Sequence, residues 1–347
     1  PFTAWIGEVR HTSTLRADII AGITVALVLV PQSMAYAQLA GLPPYIGLYA
    51  SFIPVMIAAF MGSSRQLATG PVAVVSLLTA ASLAPLAGGN AELYLALAAM
   101  LAIMVGVFQI LLGVFRLGVL VDFLSHPVVV GFTNGAAIII ATSQLSKIFG
   151  VSVEKAAHHY ETVWRVVVAA GQDTHMLTLL MGIFALAIMI LMKKFTPKIP
   201  NVLTAVVVTT LISWWFDFQA AGGKVVGEVP QGLPGITLPD FDMPLVLKLA
   251  TAAVTIALIG FMEAIAIAKA MAAQTRQRLD TNQELFGQGL SNVTSGLFGA
   301  YPVSGSFSRS AVNIAAGAQT GFSSVVTGGV VAITLLFLTP LLYHLPQ

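Results

Sequence analysis

Residues Tyr301-Pro302-Val303-Ser304-Gly305-Ser306-Phe307-Ser308-Arg309-Ser310 put four serines, a glycine and one arginine between two long runs, 285–308 and 310–347, that carry no other charge. An apolar helix would not choose these residues. Serine and glycine favour caps and turns over helix interiors, and an arginine inside a bilayer costs at least about 3 kcal/mol on insertion scales. The stretch therefore predicts a membrane-embedded break in a helix, with a guanidinium beside it.

The rest of the chain supports a membrane setting. Of 347 residues, 57% are hydrophobic and 9% charged, with mean hydropathy +0.90. A soluble domain carries about 25% charged residues, so an ordinary cytosolic enzyme, a disordered chain and a nucleic-acid binder are excluded. The formal net charge of +2 implies no acidic macromolecular partner. The chain contains no cysteine, which removes disulfides, thiolate metal sites and cysteine nucleophiles. None of its histidines sits in a zinc-protease pattern such as H-E-x-x-H. An enzyme is not expected, and neither cofactor nor metal is implied.

A helix needs about 20 mostly apolar residues to cross the hydrocarbon core. Cut at turn residues, the charge-free runs predict eleven spans, with cores near 19–40, 45–61, 69–84, 93–115, 126–146, 176–193, 200–218, 246–269, 284–299, 305–318 and 322–338. A twelfth begins near 341. No run alternates with period two, which argues against a barrel. The segment from Tyr160 to Gln172 is amphipathic, with Trp164 and Arg165, and predicts a helix lying in the interface. Arg10 and Arg16 precede the first span, which lacks a small-residue cleavage site and reads as a retained helix. With a cytoplasmic N-terminus, Arg10, Arg16, Arg65, Arg116, Lys193, Lys194, Lys198, Lys269, Arg276 and Arg278 fall inside. Lys147, Lys155, Arg165, Lys224 and Lys248 fall outside, which satisfies the positive-inside bias. Glu154 and six other acidic residues gather on the outer side.

The third span resembles the tenth. Gly70-Pro71 at its start and Pro85 near its end leave about 15 helical residues, or ~22 Å, too short for a core of about 30 Å. Gln32 precedes Gly70 by about as many residues as Glu263 precedes Gly305. A polar position followed two spans later by a broken helix, twice over, predicts inverted repeats of seven spans with a site at the midplane. The expected architecture is an all-α polytopic fold of 14 spans, of which the last two to three lie outside these residues.

A helix that begins in mid-membrane exposes three or four N–H donors and about half a positive charge. Two such ends facing each other form a cradle for an anion. Pro71 suits a first helical turn, where its missing N–H needs no partner, and Ser304, Ser306, Ser308 and Ser310 supply hydroxyl donors or caps. Arg309 either faces the anion, pairs permanently with Glu263, or snorkels from a shallow break. Burial and a nearby guanidinium act in opposite senses on the carboxyl group of Glu263, so its proton occupancy can follow the state of the cavity. Sodium would want more oxygen ligands than the flanking Ala, Ile, Gly and Phe supply. The other reading of Glu263 is a charge that merely balances the arginine. Gln32, Ser33 and Tyr36 follow Pro31, which removes a backbone hydrogen bond and opens the first helix beside the cradle; they line the site or stay structural. Asn134, Gln144 and Asn313 read as interhelical hydrogen-bonding residues. Asn292-Val293-Thr294 matches a glycosylation pattern by chance, because it sits inside the ninth span.

Val30-Pro31-Gln32-Ser33-Met34-Ala35-Tyr36-Ala37, Gly41-Leu42-Pro43-Pro44 with Gly47-Leu48-Tyr49, and Gly62-Ser63-Ser64-Arg65 followed by Thr69-Gly70-Pro71 closely resemble the SulP anion transporters, solute-carrier relatives that include prestin. Asn282-Gln283-Glu284-Leu285 and Pro302 to Ser310 agree. The resemblance implies a core domain formed by residues 1–115 and 246–340. It implies a gate domain formed by 116–245 and the span starting at 341–347. It places the anion on Gln32 and Tyr36, on Gly70, Pro71, Val72 and Ala73 at the N-terminal turn of the third span, and on Ser306, Phe307, Ser308 and Arg309. Glu263 matches an acidic position of proton-coupled members. The family usually adds a cytoplasmic STAS domain, which these residues do not include, and homodimer formation would draw on the C-terminal parts outside them.

The function expected is secondary transport of a small anion (sulfate first, then bicarbonate or a small dicarboxylate) with a proton, by elevator-like alternating access in a bacterial inner membrane. A passive anion channel, an anion exchanger and a proton-coupled nucleobase carrier of the same architecture are the alternatives. A channel would show unitary currents without counterflow, and a nucleobase carrier would need more side-chain amides than Gln32 provides.

Overall fold

The structure, a computed structural model, describes residues 2–118, 126–153, 156, 158–196 and 201–347. Glu154, Lys155 and Lys198, used in the charge count, lie outside the described residues. Helices α1 (Thr12–Leu39), α2 (Pro44–Ala50) and α3 (Ile53–Met61) come first. Strand β1 (Ala68–Gly70), α4 (Ala73–Ala87), α5 (Ala91–Val114), α6 (His126–Ser143), α7 (Leu145–Phe149) and α8 (His159–Asp173) follow. Then come α9 (Met176–Phe195), α10 (Asn201–Trp215), α11 (Met243–Thr275), α12 (Thr281–Leu297), strand β2 (Ser304–Ser306), α13 (Phe307–Ala315), α14 (Phe322–Ile333) and α15 (Thr339–Leu342). Six stretches among the described residues are long and apolar enough to cross a membrane: Thr12–Leu39, Pro44–Met61, Ala91–Val114, Met176–Phe195, Met243–Thr275 and Phe322–Leu342.

Helices stand where most spans were expected, with differences at four places and at the C-terminal end. α1 runs unbroken through Pro31, so the opening expected there is not seen. A proline removes one intrahelical hydrogen bond, and the helix closes around the loss. The second span is cut at Ser51-Phe52, because Pro54 has no N–H to offer the carbonyl of Ala50 and Ser51 Oγ donates to Gly47 O instead (2.7 Å). Residues 126–146 form two helices that meet at Gln144. α4 begins at Ala73, so Pro71 precedes the N-cap Val72 and does not occupy the first turn.

The chain divides into two compact units, residues 1–129 with 231–337, and residues 130–230 with 338–347. In the first unit α5 and α12 pack against each other through small residues. A Cβ at Gly106 would lie 2.5 Å from Gly289 O, and one at Gly289 would lie 2.7 Å from Gly106 O, so these backbones touch. This crossing explains how α12, rich in Ser, Asn, Gln and Gly, is a buried helix despite its polarity. Asp280 starts it by accepting from the N–H groups of Asn282 (2.9 Å) and Gln283 (3.1 Å).

Two buried carboxylates hold loops in this unit. Asp18, fully buried on α1, accepts from the N–H groups of Gln319 (2.7 Å) and Thr320 (3.1 Å) after α13. Glu284, buried on α12, accepts from the N–H groups of Ser63 and Ser64, each at 2.8 Å, in the loop before β1. In the second unit α8 presents Tyr160 and Trp164 outward, in keeping with its expected amphipathic character. Residues 343–347, expected to start a span, run from the end of α15 alongside 224–227, where Val226 N–H donates to Leu345 O (2.9 Å) and Gln347 N–H to Lys224 O (2.9 Å).

Candidate functional site

The two breaks meet. β1 and β2 pair antiparallel with Ala68 opposite Ser306, Thr69 opposite Gly305 and Gly70 opposite Ser304. The expectation was two facing helix ends; the strand pairing that brings them together was not foreseen. It satisfies the backbone groups that the breaks strip of helical partners, which a membrane interior demands. Gly70 takes φ +148°, closed to other residues, and a Cβ there would lie 3.3 Å from Arg309 Nη2. Gly305 packs against α11, where a Cβ would meet Ala264 Cα at 3.1 Å.

Each strand leads into a helix N-terminus. Val72, the N-cap of α4, has no side-chain acceptor, so the N–H groups of Ala73, Val74 and Val75 have no cap to bind. At α13 the N-cap is Ser306, whose Oγ accepts from Arg309 N–H at 3.5 Å, while Phe307 and Ser308 are exposed at the tip. The other serines turn elsewhere. Ser304 Oγ donates to Gly260 O (2.6 Å) on α11, and Ser310 Oγ accepts from Ala68 N–H (2.9 Å).

Arg309 is fully buried, and among the described residues its guanidinium makes one hydrogen bond, from Nη1 to Gln32 Oε1 at 2.8 Å. Its Nε and Nη2 have no hydrogen-bond partner among the described residues. No ion pair joins it to Glu263, so the permanent pairing considered from sequence is not formed, and full burial rules out snorkelling. Glu263 keeps a buried Oε2 without a hydrogen bond. Tyr36, Tyr301 and Glu263 lie within electrostatic reach of the guanidinium. Unpaired N–H donors on a buried cation are costly to leave unmade, and Nη2 lies beside Gly70, where the first break leads into α4.

The structure thus gathers Gln32, Tyr36, Glu263, the start of α4 after Gly70, Pro71 and Val72, and the start of α13 with Ser306 to Arg309. Ser33 is not brought in: it is buried, and its Oγ donates to Val30 O (2.9 Å) in its own helix. Asn313 Nδ2 donates to Gln66 O (3.2 Å) in the loop before β1, so it ties α13 to a loop rather than to a helix, whereas Asn134 is exposed. Sequence reasoning missed Tyr301 and Ser76. Both are fully buried and their hydroxyls lie 3.1 Å apart, joining the second break to α4. The signal was a tyrosine at the start of the quoted stretch, read only as part of the break.

Comparison with known proteins follows the same lines. The model of the sulfate permease family matches residues 15–347. The chain is 42% identical to "Sulfate transporter 4.1, chloroplastic" of Arabidopsis thaliana over 100% of this chain and 51% of that protein. It is 38% identical to "Probable sulfate transporter MT1781" of Mycobacterium tuberculosis (strain CDC 1551 / Oshkosh) over 96% of this chain and 59% of that protein. The chain therefore spans only about half to three-fifths of the length of these relatives. The structure of SLC26A9 superposes with TM-score 0.93 at 26% identity, covering 100% of this chain and 57% of that one. The transmembrane domain of a cyanobacterial bicarbonate transporter, BicA, gives 0.86 at 27% identity, covering 97% and 86%. The apolar helices and these likenesses make it a multi-pass, helical membrane protein. On the family match over nearly its whole length, the chain belongs to the sulfate permease family.

Proposed function

We propose that this chain is the membrane part of a secondary transporter of small oxyanions, with sulfate the first candidate, bound between the N-termini of α4 and α13. The observation that carries this reading is the fully buried Arg309 with two nitrogens that no protein acceptor meets. The uncapped start of α4, the start of α13, where Ser306 caps only the Arg309 N–H, and a guanidinium form an electropositive pocket in a low-dielectric setting, where each donor counts for more than in water. An oxyanion supplies the acceptors that Nε, Nη2 and the N–H groups of both helix tips lack.

Transport is coupled to a proton through Glu263, which is close enough to sense the charge of Arg309 without pairing with it. A proton on Glu263 offsets the negative charge that the anion brings, so both move together. Residues 1–115 and 246–340 act as the transporting core and 116–245 with 341–347 as part of the gate, in alternating access of the elevator type. The N-terminus is cytoplasmic in an inner membrane, by the distribution of Lys and Arg.

Radiolabelled sulfate uptake by proteoliposomes tests the site. Arg309→Ala is expected to abolish saturable uptake. Unchanged affinity and rate would make Arg309 a structural residue and end this reading. Competition by bicarbonate, chloride and fumarate at two pH values then ranks the substrates.

A further inference from the structure

Three side chains stand one turn apart on a buried face of α12: Glu284, Gln288 and Asn292, with relative exposures of 2%, 1% and 0%. Each reaches toward a break. Glu284 holds the loop that enters β1. Gln288 Nε2 donates to Thr69 Oγ1 in β1 (2.8 Å) and to Glu284 Oε1 (3.0 Å). Asn292 takes the backbone of Val303, just before β2, in both directions: Val303 N–H donates to Asn292 Oδ1 (2.8 Å) and Asn292 Nδ2 donates to Val303 O (3.1 Å). The sequence that matched a glycosylation site is thus a clamp on the second break. Gln109 Oε1 on α5 accepts from the same Nδ2 (3.0 Å).

The spacing on α12 matches the spacing in the ladder. Thr69 pairs with Gly305, so Val303 is offset from Thr69 by two residues along β2, about 7 Å in a strand. Residues i and i+4 on a helix are about 6 Å apart along the axis. One rigid helix can therefore hold both breaks in register without strain.

We propose that Gln288 and Asn292 are positioning residues of the anion site, holding the two breaks at a fixed offset and so setting the width of the gap between the tips of α4 and α13. Neither touches the anion. They decide which anion fits, because the donors at both tips follow wherever the strands are held. The proposal rests on the anion site described above.

The test is sulfate uptake by the purified protein in proteoliposomes, with bicarbonate as competitor, for Asn292→Ala, Asn292→Asp and Gln288→Met, with Arg309→Ala in parallel. Loss of the hydrogen bond to Thr69 in Gln288→Met, and of the two to Val303 in Asn292→Ala, is expected to raise the sulfate KM about tenfold. The maximal rate should stay within about twofold, and bicarbonate should gain on sulfate. Asn292→Asp keeps the acceptor for Val303 N–H and should recover part of the KM. Should Asn292→Ala fail to assemble, the Gln288→Met and Asn292→Asp values decide. A lowered maximal rate with unchanged KM and anion preference, or no change at all, overturns the proposal while a dead Arg309→Ala leaves the site itself intact. Wild-type uptake by Arg309→Ala takes down both.

Discussion

At Gly70 a single hydrogen atom in place of a side chain decides whether the site exists. Its φ of +148° strains any L side chain, and the 3.3 Å from its would-be Cβ to Arg309 Nη2 means that an alanine would make the guanidinium give way by a few tenths of an ångström. Gly70→Ala is expected to cost about 1–3 kcal/mol in strain and to push the guanidinium aside, so thermal unfolding in detergent should fall and the sulfate KM should rise together. Asp18→Ala takes the acceptor from the N–H groups of Gln319 and the buried Thr320 and should destabilise by about 2 kcal/mol, again read by thermal unfolding. Glu263→Gln tests the proton. The parent should accumulate sulfate up to about tenfold more for each pH unit by which the outside is more acidic than the inside, per proton moved. The glutamine variant should lose that dependence and keep sulfate–sulfate exchange; persistence of pH-driven accumulation would reject the role. Arg309 and Glu263 were legible from sequence because charges in apolar runs are rare enough to need a reason. Tyr301, Ser76, Gln288 and Asn292 were not, because a buried hydroxyl or amide looks in sequence like any polar residue, and its partner is fixed only by the fold.

Among the elements, α12 shows why spans were readable and contacts were not. Absence of charge from 285 onward placed it in the membrane, while its small and polar residues gave no hint that it lies against α5 along a glycine-lined crossing. Gly289→Val would drive a side chain into Gly106 O, 2.7 Å from where a Cβ would stand, and should cost about 3 kcal/mol or more. Gly329→Ala on α14 meets nothing within 4 Å and should leave unfolding unchanged, so equal effects of the two substitutions would refute the packing argument. The strands β1 and β2 lay beyond sequence reasoning. Three residues each, Ala-Thr-Gly and Ser-Gly-Ser, are too short for any alternation to show. The helix breaks themselves were visible because glycine, proline and serine punctuate an otherwise apolar text.

At the scale of the molecule, the chain has no cysteine, so Ser308→Cys carries the sole thiol. Ser308 is exposed at the tip of α13. A membrane-impermeant thiol reagent should modify it, and sulfate should slow the modification at least severalfold; labelling indifferent to sulfate would remove the tip from the site. The pairing of β1 with β2 over three residues each has a further consequence during synthesis. Ala68 to Gly70 leave the ribosome long before Ser304 to Ser306 exist, and such distant pairings form late. Until then the first break has no ladder partner, so a nascent chain stalled ahead of residue 304 should expose residues 62–72 to protease, and resumed synthesis past residue 306 should close that window.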